Sequence, residues 1–158
     1  MNGPGMNSHN HPALASVGAW LFRWVAGLRL ADGTLDKPSD SYGKGWKKAL
    51  FAPGCVTDPR LPSVTARLHT LFGPIAASWH NETSSLSMRI ELPANTAGTV
   101  VIPPSISPAA TTVTEGGKTV WTSNHFVSGV AGVTSGEIVD GAVNLEVGSG
   151  SYEFSATV

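Results

Sequence analysis

Cysteine is almost absent from this 158-residue chain. Its one cysteine, Cys55, has no second thiol to pair with, so an internal disulfide is excluded and the redox compartment stays open. No apolar run approaches the roughly 18 residues that a membrane-spanning helix needs. Residues 1–11 contain no lysine or arginine, so they lack the basic start of a secretory signal peptide. The sequence therefore predicts neither a membrane helix nor a secretory leader, and it leaves the cellular compartment undetermined.

Charge is scarce as well. Charged residues make up 13% of the chain, against about 25% in an average soluble protein, and the formal net charge is -1. A nucleic-acid-binding protein needs a surplus of lysine and arginine to neutralise phosphates, so a nucleic-acid partner is not expected. The hydrophobic fraction of 41% is too high for intrinsic disorder. A chain of this length and composition predicts one folded domain with a sizeable core.

One segment near the start has a helical pattern. Its large apolar residues recur at helical spacing and predict one stripe on the helix, namely Val17, Leu21, Trp24, Val25 and Leu28. Pro12 suits a first helical position and Gly27 suits the end. Trp20 and Phe22 lie off the stripe and are also large and apolar. Because no second long helical pattern follows, this helix lacks a neighbour to cover both of its faces.

Beyond residue 49 the pattern changes to short apolar stretches separated by turns. Residues 86–92 alternate with period two, as a half-buried strand does. Gly116-Gly117 and Asp140-Gly141 each lie between apolar or β-branched flanks, as in tight hairpins. The 18 glycines and 11 prolines fit a turn-rich chain. The predicted fold is a mainly β, antiparallel sandwich of Greek-key or jelly-roll type over residues 49–158, joined by a linker loop (31–48) to a helical region (1–30).

The residues alone support several weak candidates for a functional site. His9 and His11, two residues apart, could bind a metal, but no further ligands follow at a recognisable spacing, so a polar loop is the better interpretation. Tryptophans could stack on sugar rings, although core packing explains them better, and the candidates are Trp46, Trp79 and Trp121. Cys55 lies in a turn without a neighbouring histidine and is interpreted as a structural thiol. No metal and no cofactor is expected.

Several motifs together resemble the C-terminal region of bacterial-type α-L-rhamnosidases of glycoside hydrolase family 78. Two of them look like the last loop and helix of the family's catalytic (α/α) barrel: residues 6–11 (MNSHNH) and 16–28 (SVGAWLFRWVAGL). The others look like its C-terminal β-sandwich domain: residues 51–53 (FAP), 73–79 (GPIAASW), 91–96 (ELPANT) and 147–154 (VGSGSYEF). The resemblance implies one helix left over from a barrel, followed by a sandwich.

The resemblance also implies a function. Enzymes of this family are inverting glycosidases that release terminal α-L-rhamnose, and their two catalytic carboxylates lie upstream of the segment matched here. This chain would therefore contain no catalytic residue and be inactive alone. His11 corresponds to a histidine that contacts rhamnose, and Asn10 would orient the same loop. Pro12 follows where the family commonly has an aromatic residue.

The implied role is to brace the barrel and to supply one loop of the substrate pocket. The implied ligand is a rhamnose-containing glycoside bound by the full-length enzyme, with no nucleic acid and no membrane as partner. The helix would dock on the missing barrel or self-associate. Two other classes stay open: a stand-alone carbohydrate-binding sandwich and a purely structural module.

Overall fold

The computed structural model describes residues 12–31, 45–82, 85–106 and 112–157. They contain a short α-helix, α1 (Pro12–Trp20), a π-helical turn (Leu21–Val25) and a 3-10 turn (Gly45–Lys47). The strands in chain order are β1 (Leu28–Leu30), β2 (Lys48–Phe51), β3 (Ser63–Thr70), β4 (Gly73–Glu82), β5 (Ser85–Leu92), β6 (Ala97–Ile102), β7 (Thr112–Glu115), β8 (Lys118–Thr122), β9 (His125–Phe126), β10 (Val133–Val139), β11 (Ala142–Val147) and β12 (Gly150–Thr157).

The strands form two sheets. Five strands pair in the order β1-β2-β6-β11-β10, and seven pair in the order β3-β4-β5-β12-β7-β8-β9. Every pairing is antiparallel except that of β2 with β6, which is parallel. Strands that are neighbours in a sheet but distant in sequence, such as β5 and β12, require crossovers from one part of the chain to another. The predicted mainly antiparallel β-sandwich is confirmed.

The core lies between the two sheets. Apolar side chains alternate with polar ones along β5 and β12, and the apolar set points inward. Fully buried side chains come from both sheets, including Phe51, Val100 and Leu145 from one, and Leu86 and Phe154 from the other. Burying such side chains is the main favourable term in folding, at about 1.5–3 kcal/mol each.

Both hairpins predicted from glycine-containing pairs are present. Gly116 and Gly117 connect β7 to β8 with φ angles of 53° and 78°. Asp140 and Gly141 connect β10 to β11 with φ angles of 50° and 79°. Two consecutive positive φ angles are what the tightest hairpin turns need, and glycine, or aspartate before glycine, adopts them at low cost.

The helix is shorter than its apolar spacing predicts. It ends at Trp20, and the π-helical turn after it ends at Val25. Leu28, predicted as the last member of the helical stripe, instead opens β1 and pairs with Phe51. The reason is Gly27, with φ 76°, where an added Cβ would lie 2.3 Å from the backbone carbon of Ala52. The chain turns at this close contact and continues as an edge strand of the five-stranded sheet.

The predicted division of the chain at residues 30 and 49 stays a prediction. Within the proposed linker, the structure describes Ala31 and residues 45–48. Residues 45–47 form the 3-10 turn, and Lys48 already opens β2. Ala31 donates its backbone N–H to the carbonyl oxygen of Lys48, 3.1 Å away, so both ends of the linker meet beside the same sheet edge.

Candidate functional site

The site residues predicted from the sequence, His11 and Asn10, lie outside the described residues, and so does His9 of the weaker metal hypothesis. Among the residues that the structure describes, no group of three or more metal-ligating side chains occurs. The structure does describe the helix that follows this loop and the way in which that helix joins the sandwich. These features form the candidate functional site.

The helix exposes large apolar side chains to solvent. Five of them, together called the apolar helix surface, are 37–58% exposed: Val17, Trp20, Leu21, Phe22 and Trp24. Members come both from the predicted stripe and from the residues predicted to lie off it. Contiguous exposed apolar patches on soluble proteins are typical of interaction sites. These five exposed residues agree with the expectation that the chain does not cover both faces of the helix.

The last turn of the helical segment is anchored in the sandwich. Val25 is 6% exposed and Ala26 is 3% exposed, in contrast to the residues before them. The indole nitrogen Nε1 of Trp79, on β4, donates a buried hydrogen bond of 3.0 Å to the carbonyl oxygen of Val25. This oxygen belongs to a helix end, where carbonyls lack partners within the helix. Trp79 therefore holds the helix end against the seven-stranded sheet.

Arg29, on β1, ties the same turn to the five-stranded sheet. Its Nε donates to the carbonyl oxygen of Arg23 at 2.7 Å, and one of its terminal nitrogens donates to that of Ala52 at 3.0 Å. Its guanidinium lies 4.1 Å from the centre of the Trp24 ring, within the range of a cation–π contact. Burial lowers the pKa of the Arg29 guanidinium below its ordinary value. The sequence gives no signal for this role, because the three partners lie at unrelated spacings.

Gly54 brings the turn before β3 against the helix end. Its N–H donates to the carbonyl oxygen of Trp24 at 2.9 Å. A Cβ added at Gly54 would lie 2.6 Å from that same oxygen, so a larger residue would push the two segments apart. We call this set of contacts the joint, consisting of Val25, Arg29, Gly54 and Trp79. The joint gives the helix a defined attachment, although the helix surface beyond it is uncovered.

The other sequence candidates are placed differently. Trp79 and Trp121 are 2% and 3% exposed, so the hypothesis that they form a sugar-stacking platform is wrong, because their faces lie within the core. Trp46 is half-buried and packs against that core. Cys55 is a free, half-buried thiol. In the part of the chain that is described, no helix has the length and apolar character needed to cross a membrane.

The chain is similar to a known protein family and to several known proteins. Residues 37–117 match the family model described as the bacterial alpha-L-rhamnosidase C-terminal domain. An alpha-L-rhamnosidase of Streptomyces avermitilis is 29% identical over 155 residues, which are 96% of this chain and 12% of that protein. An alpha-L-rhamnosidase of Formosa agariphila is 29% identical over 98 residues, which are 62% of this chain and 9% of that protein. The chain thus spans only a small part of the length of these relatives.

Solved structures agree with the sequence comparisons. The alpha-L-rhamnosidase from Dictyoglumus thermophilum matches 100% of this chain and 15% of its own, with a TM-score of 0.71 and 31% identity. The Streptomyces avermitilis alpha-L-rhamnosidase, solved in complex with L-rhamnose, matches 98% of this chain and 12% of its own, with a TM-score of 0.64 and 26% identity. The chain belongs to the bacterial alpha-L-rhamnosidase C-terminal domain family.

Proposed function

We propose that this chain acts as the C-terminal part of a larger α-L-rhamnosidase, in which its helix completes the catalytic (α/α) barrel and its sandwich braces that barrel. The observation that carries the proposal is the apolar helix surface. Five large side chains are 37–58% exposed on a helix whose end is held by the joint. In a stand-alone module, each of these side chains would leave unused a part of the about 1.5–3 kcal/mol that full burial contributes.

The length of the relatives supports the proposal that this chain is part of a larger enzyme. Each of these relatives is several times longer than the region it shares with this chain, since the matched share is 9–15% of its length. The substrate class we propose is glycosides with a terminal α-L-rhamnose, hydrolysed with inversion. An inverting reaction needs a carboxylic acid and a carboxylate about 6.5–9.5 Å apart. We assign both of these to the upstream barrel and neither to this chain.

The role proposed for His11 is to contact the bound rhamnose, with Asn10 orienting the loop. Pro12, the first residue of α1, follows His11 directly. The loop would therefore be attached to the helix that the joint holds. Through this connection the sandwich would help to define where the loop lies.

The first experiment measures hydrolysis of 4-nitrophenyl α-L-rhamnopyranoside by the isolated chain and by a longer protein that includes the upstream barrel. We expect turnover only by the longer protein, because an acid or base in position contributes about 10²–10⁴-fold each. Turnover by the isolated chain that disappears when one of its own carboxylates is changed would overturn the proposal. Full activity of the barrel without this chain would instead favour a stand-alone module.

The second experiment tests His11 in the longer protein. We expect His11→Ala to reduce kcat/KM by a factor corresponding to about 1–3 kcal/mol, the cost of leaving a buried polar partner unpaired. The matched control is His125→Ala, since His125 is exposed in β9 on the sandwich. Unchanged kinetics together with a lower melting temperature for His11→Ala would make His11 a packing residue and contradict its proposed role.

A further inference from the structure

The outer face of the seven-stranded sheet carries two adjacent rows of polar side chains. Strand register aligns Thr65, Ser78, Arg89 and Glu153 as direct neighbours across β3, β4, β5 and β12. The next row across the same four strands consists of Ser63, His80, Ser87 and Ser155. We call these eight residues the polar rows. Their inward-facing neighbours along each strand, such as Met88 and Phe154, are buried in the core.

A groove of about 230 Å³ lies along the polar rows and is lined by all of their residues except Ser155. It forms because small hydroxyl-bearing side chains such as Ser78 and Ser87 lie beside the longer Arg89, His80 and Glu153. Its volume is below the roughly 300–1,000 Å³ of pockets for drug-sized ligands. The groove therefore suits a ligand no larger than one ring with its substituents.

An arginine and a glutamate that line the groove, Arg89 and Glu153, are not paired with each other. Arg89 and Glu153 are direct cross-strand neighbours, an arrangement that favours an ion pair. Within the described residues, however, neither side chain forms an ion pair or hydrogen bond. By contrast, Arg67 and Glu91, on the same face of the sheet, form an ion pair at 3.6 Å. The guanidinium donors of Arg89 and the carboxylate acceptors of Glu153 are thus both available to a ligand.

The chemistry of the groove favours a neutral ligand rich in hydroxyl groups. One positive and one negative side chain cancel, so a phosphate or sulfate would gain from Arg89 and lose to Glu153. Serine and threonine hydroxyls both donate and accept hydrogen bonds, and so do the hydroxyls of a sugar. We propose that the polar rows form a binding site for one neutral sugar ring on the sandwich itself. This site goes beyond the proposed function, since it does not involve the barrel.

The proposed site is weak. The one tryptophan lining the groove, Trp79, is 2% exposed, so no indole face is offered for stacking. A sugar ring of about a dozen non-hydrogen atoms, bound with the efficiency of an ordinary ligand, has a Kd in the millimolar range.

The test is an NMR titration of the isolated, isotopically labelled chain with methyl α-L-rhamnopyranoside and methyl β-D-galactopyranoside. We expect at least one of these neutral sugars to cause saturable shifts in the amides of β3, β4, β5 and β12. The substitutions Arg89→Ala and Glu153→Gln should each weaken that binding about tenfold, the effect of losing a hydrogen bond to a charged group. Both side chains are exposed, so the variants should keep the wild-type spectrum elsewhere.

The matched controls are Arg67→Ala and Glu91→Gln, an arginine and a glutamate on the same face that pair with each other outside the groove. Both controls should retain the wild-type Kd. Three results would overturn the proposal: no saturable shift with either sugar, equal weakening by the controls, or binding of glucuronate or sulfate alone. Because the isolated chain is used, none of these results depends on whether a barrel exists.

Discussion

The sandwich buries its large apolar side chains, whereas the helix exposes them to solvent. In the sandwich, large side chains such as Phe154, Leu86 and Leu145 are 0% exposed between two sheets. On the helix, Trp20 and Leu21 are 49% and 48% exposed. Both regions are rich in apolar residues, so composition does not separate them. The difference is whether the chain itself supplies the opposing surface.

The joint lies at the boundary between these two behaviours. Exposure falls from 48% at Trp24 to 6% at Val25, one residue later. The backbone on both sides of this step is held by neighbouring strands and turns, through Gly54 and Trp79. A helix that served only to complete the sandwich would be buried along one whole face. This helix is attached at its end, and its large apolar side chains between Val17 and Trp24 are exposed.

The largest change in stability is expected between two truncated chains, one that keeps the residues of the joint before β2 and one that lacks them. Removing residues 1–30 should lower the free energy of unfolding by about 3–6 kcal/mol more than removing residues 1–23, because burial of Val25 and Leu28 contributes about 1.5–3 kcal/mol each. Urea denaturation of the two truncated chains measures the difference. Equal stability would show that residues 24–30 belong with the helix and not with the sandwich.

A pair of substitutions tests the contrast between core and helix directly. Phe154→Ala should destabilise the chain by about 3–5 kcal/mol, since the ring is fully buried. Leu21→Ala should change stability by no more than about 0.5 kcal/mol, as exposed substitutions do. Thermal unfolding followed by circular dichroism compares them. A large loss of stability for Leu21→Ala would mean that the isolated chain already covers the apolar helix surface, for instance by self-association.

The hydrogen bond at the joint can be tested with two tryptophans. Trp79→Phe removes the donor to the Val25 carbonyl, and a buried acceptor left unpaired costs about 1–3 kcal/mol. Trp121→Phe is the control, because Trp121 is equally buried and no hydrogen bond from its indole is described. The excess destabilisation of Trp79→Phe over the control, measured by urea denaturation, reports this bond. If the two variants are equally stable, Trp79 acts by packing alone.

The smallest effect concerns pH and the sandwich alone. Burial, aided by the charge of Glu115, raises the pKa of Tyr152 above its ordinary value of 10.0. A raised pKa in the folded state means that the unfolded chain loses this proton first, so stability is present below pH 10 and declines as the pH rises through the folded value. Urea midpoints measured between pH 8 and pH 11 should therefore fall less steeply for Tyr152→Phe than for wild type. If the two proteins show parallel pH profiles, ionisation of Tyr152 does not cause the loss of stability.

Much of the sandwich can be predicted from local patterns in the sequence. Period-two alternation locates β5, and the positive φ angles available to Gly116, Gly117 and Gly141 locate two hairpins. The end of the helix does not follow from pattern, because it depends on the close approach of Gly27 to Ala52, which are distant in sequence. The contacts of Arg29 cannot be predicted from local pattern for the same reason. The polar rows depend on strand register, which pairs residues such as Arg89 and Glu153 across the fold.

We propose that the apolar helix surface is covered by a preceding barrel in a longer protein. Hydrogen–deuterium exchange of residues 16–26, compared between the isolated chain and a protein that includes the upstream domain, tests this claim most directly. We expect these amides to become strongly protected in the longer protein, while those of β5 and β12 exchange at the same rate in both. Equal exchange of residues 16–26 in the two proteins would contradict it.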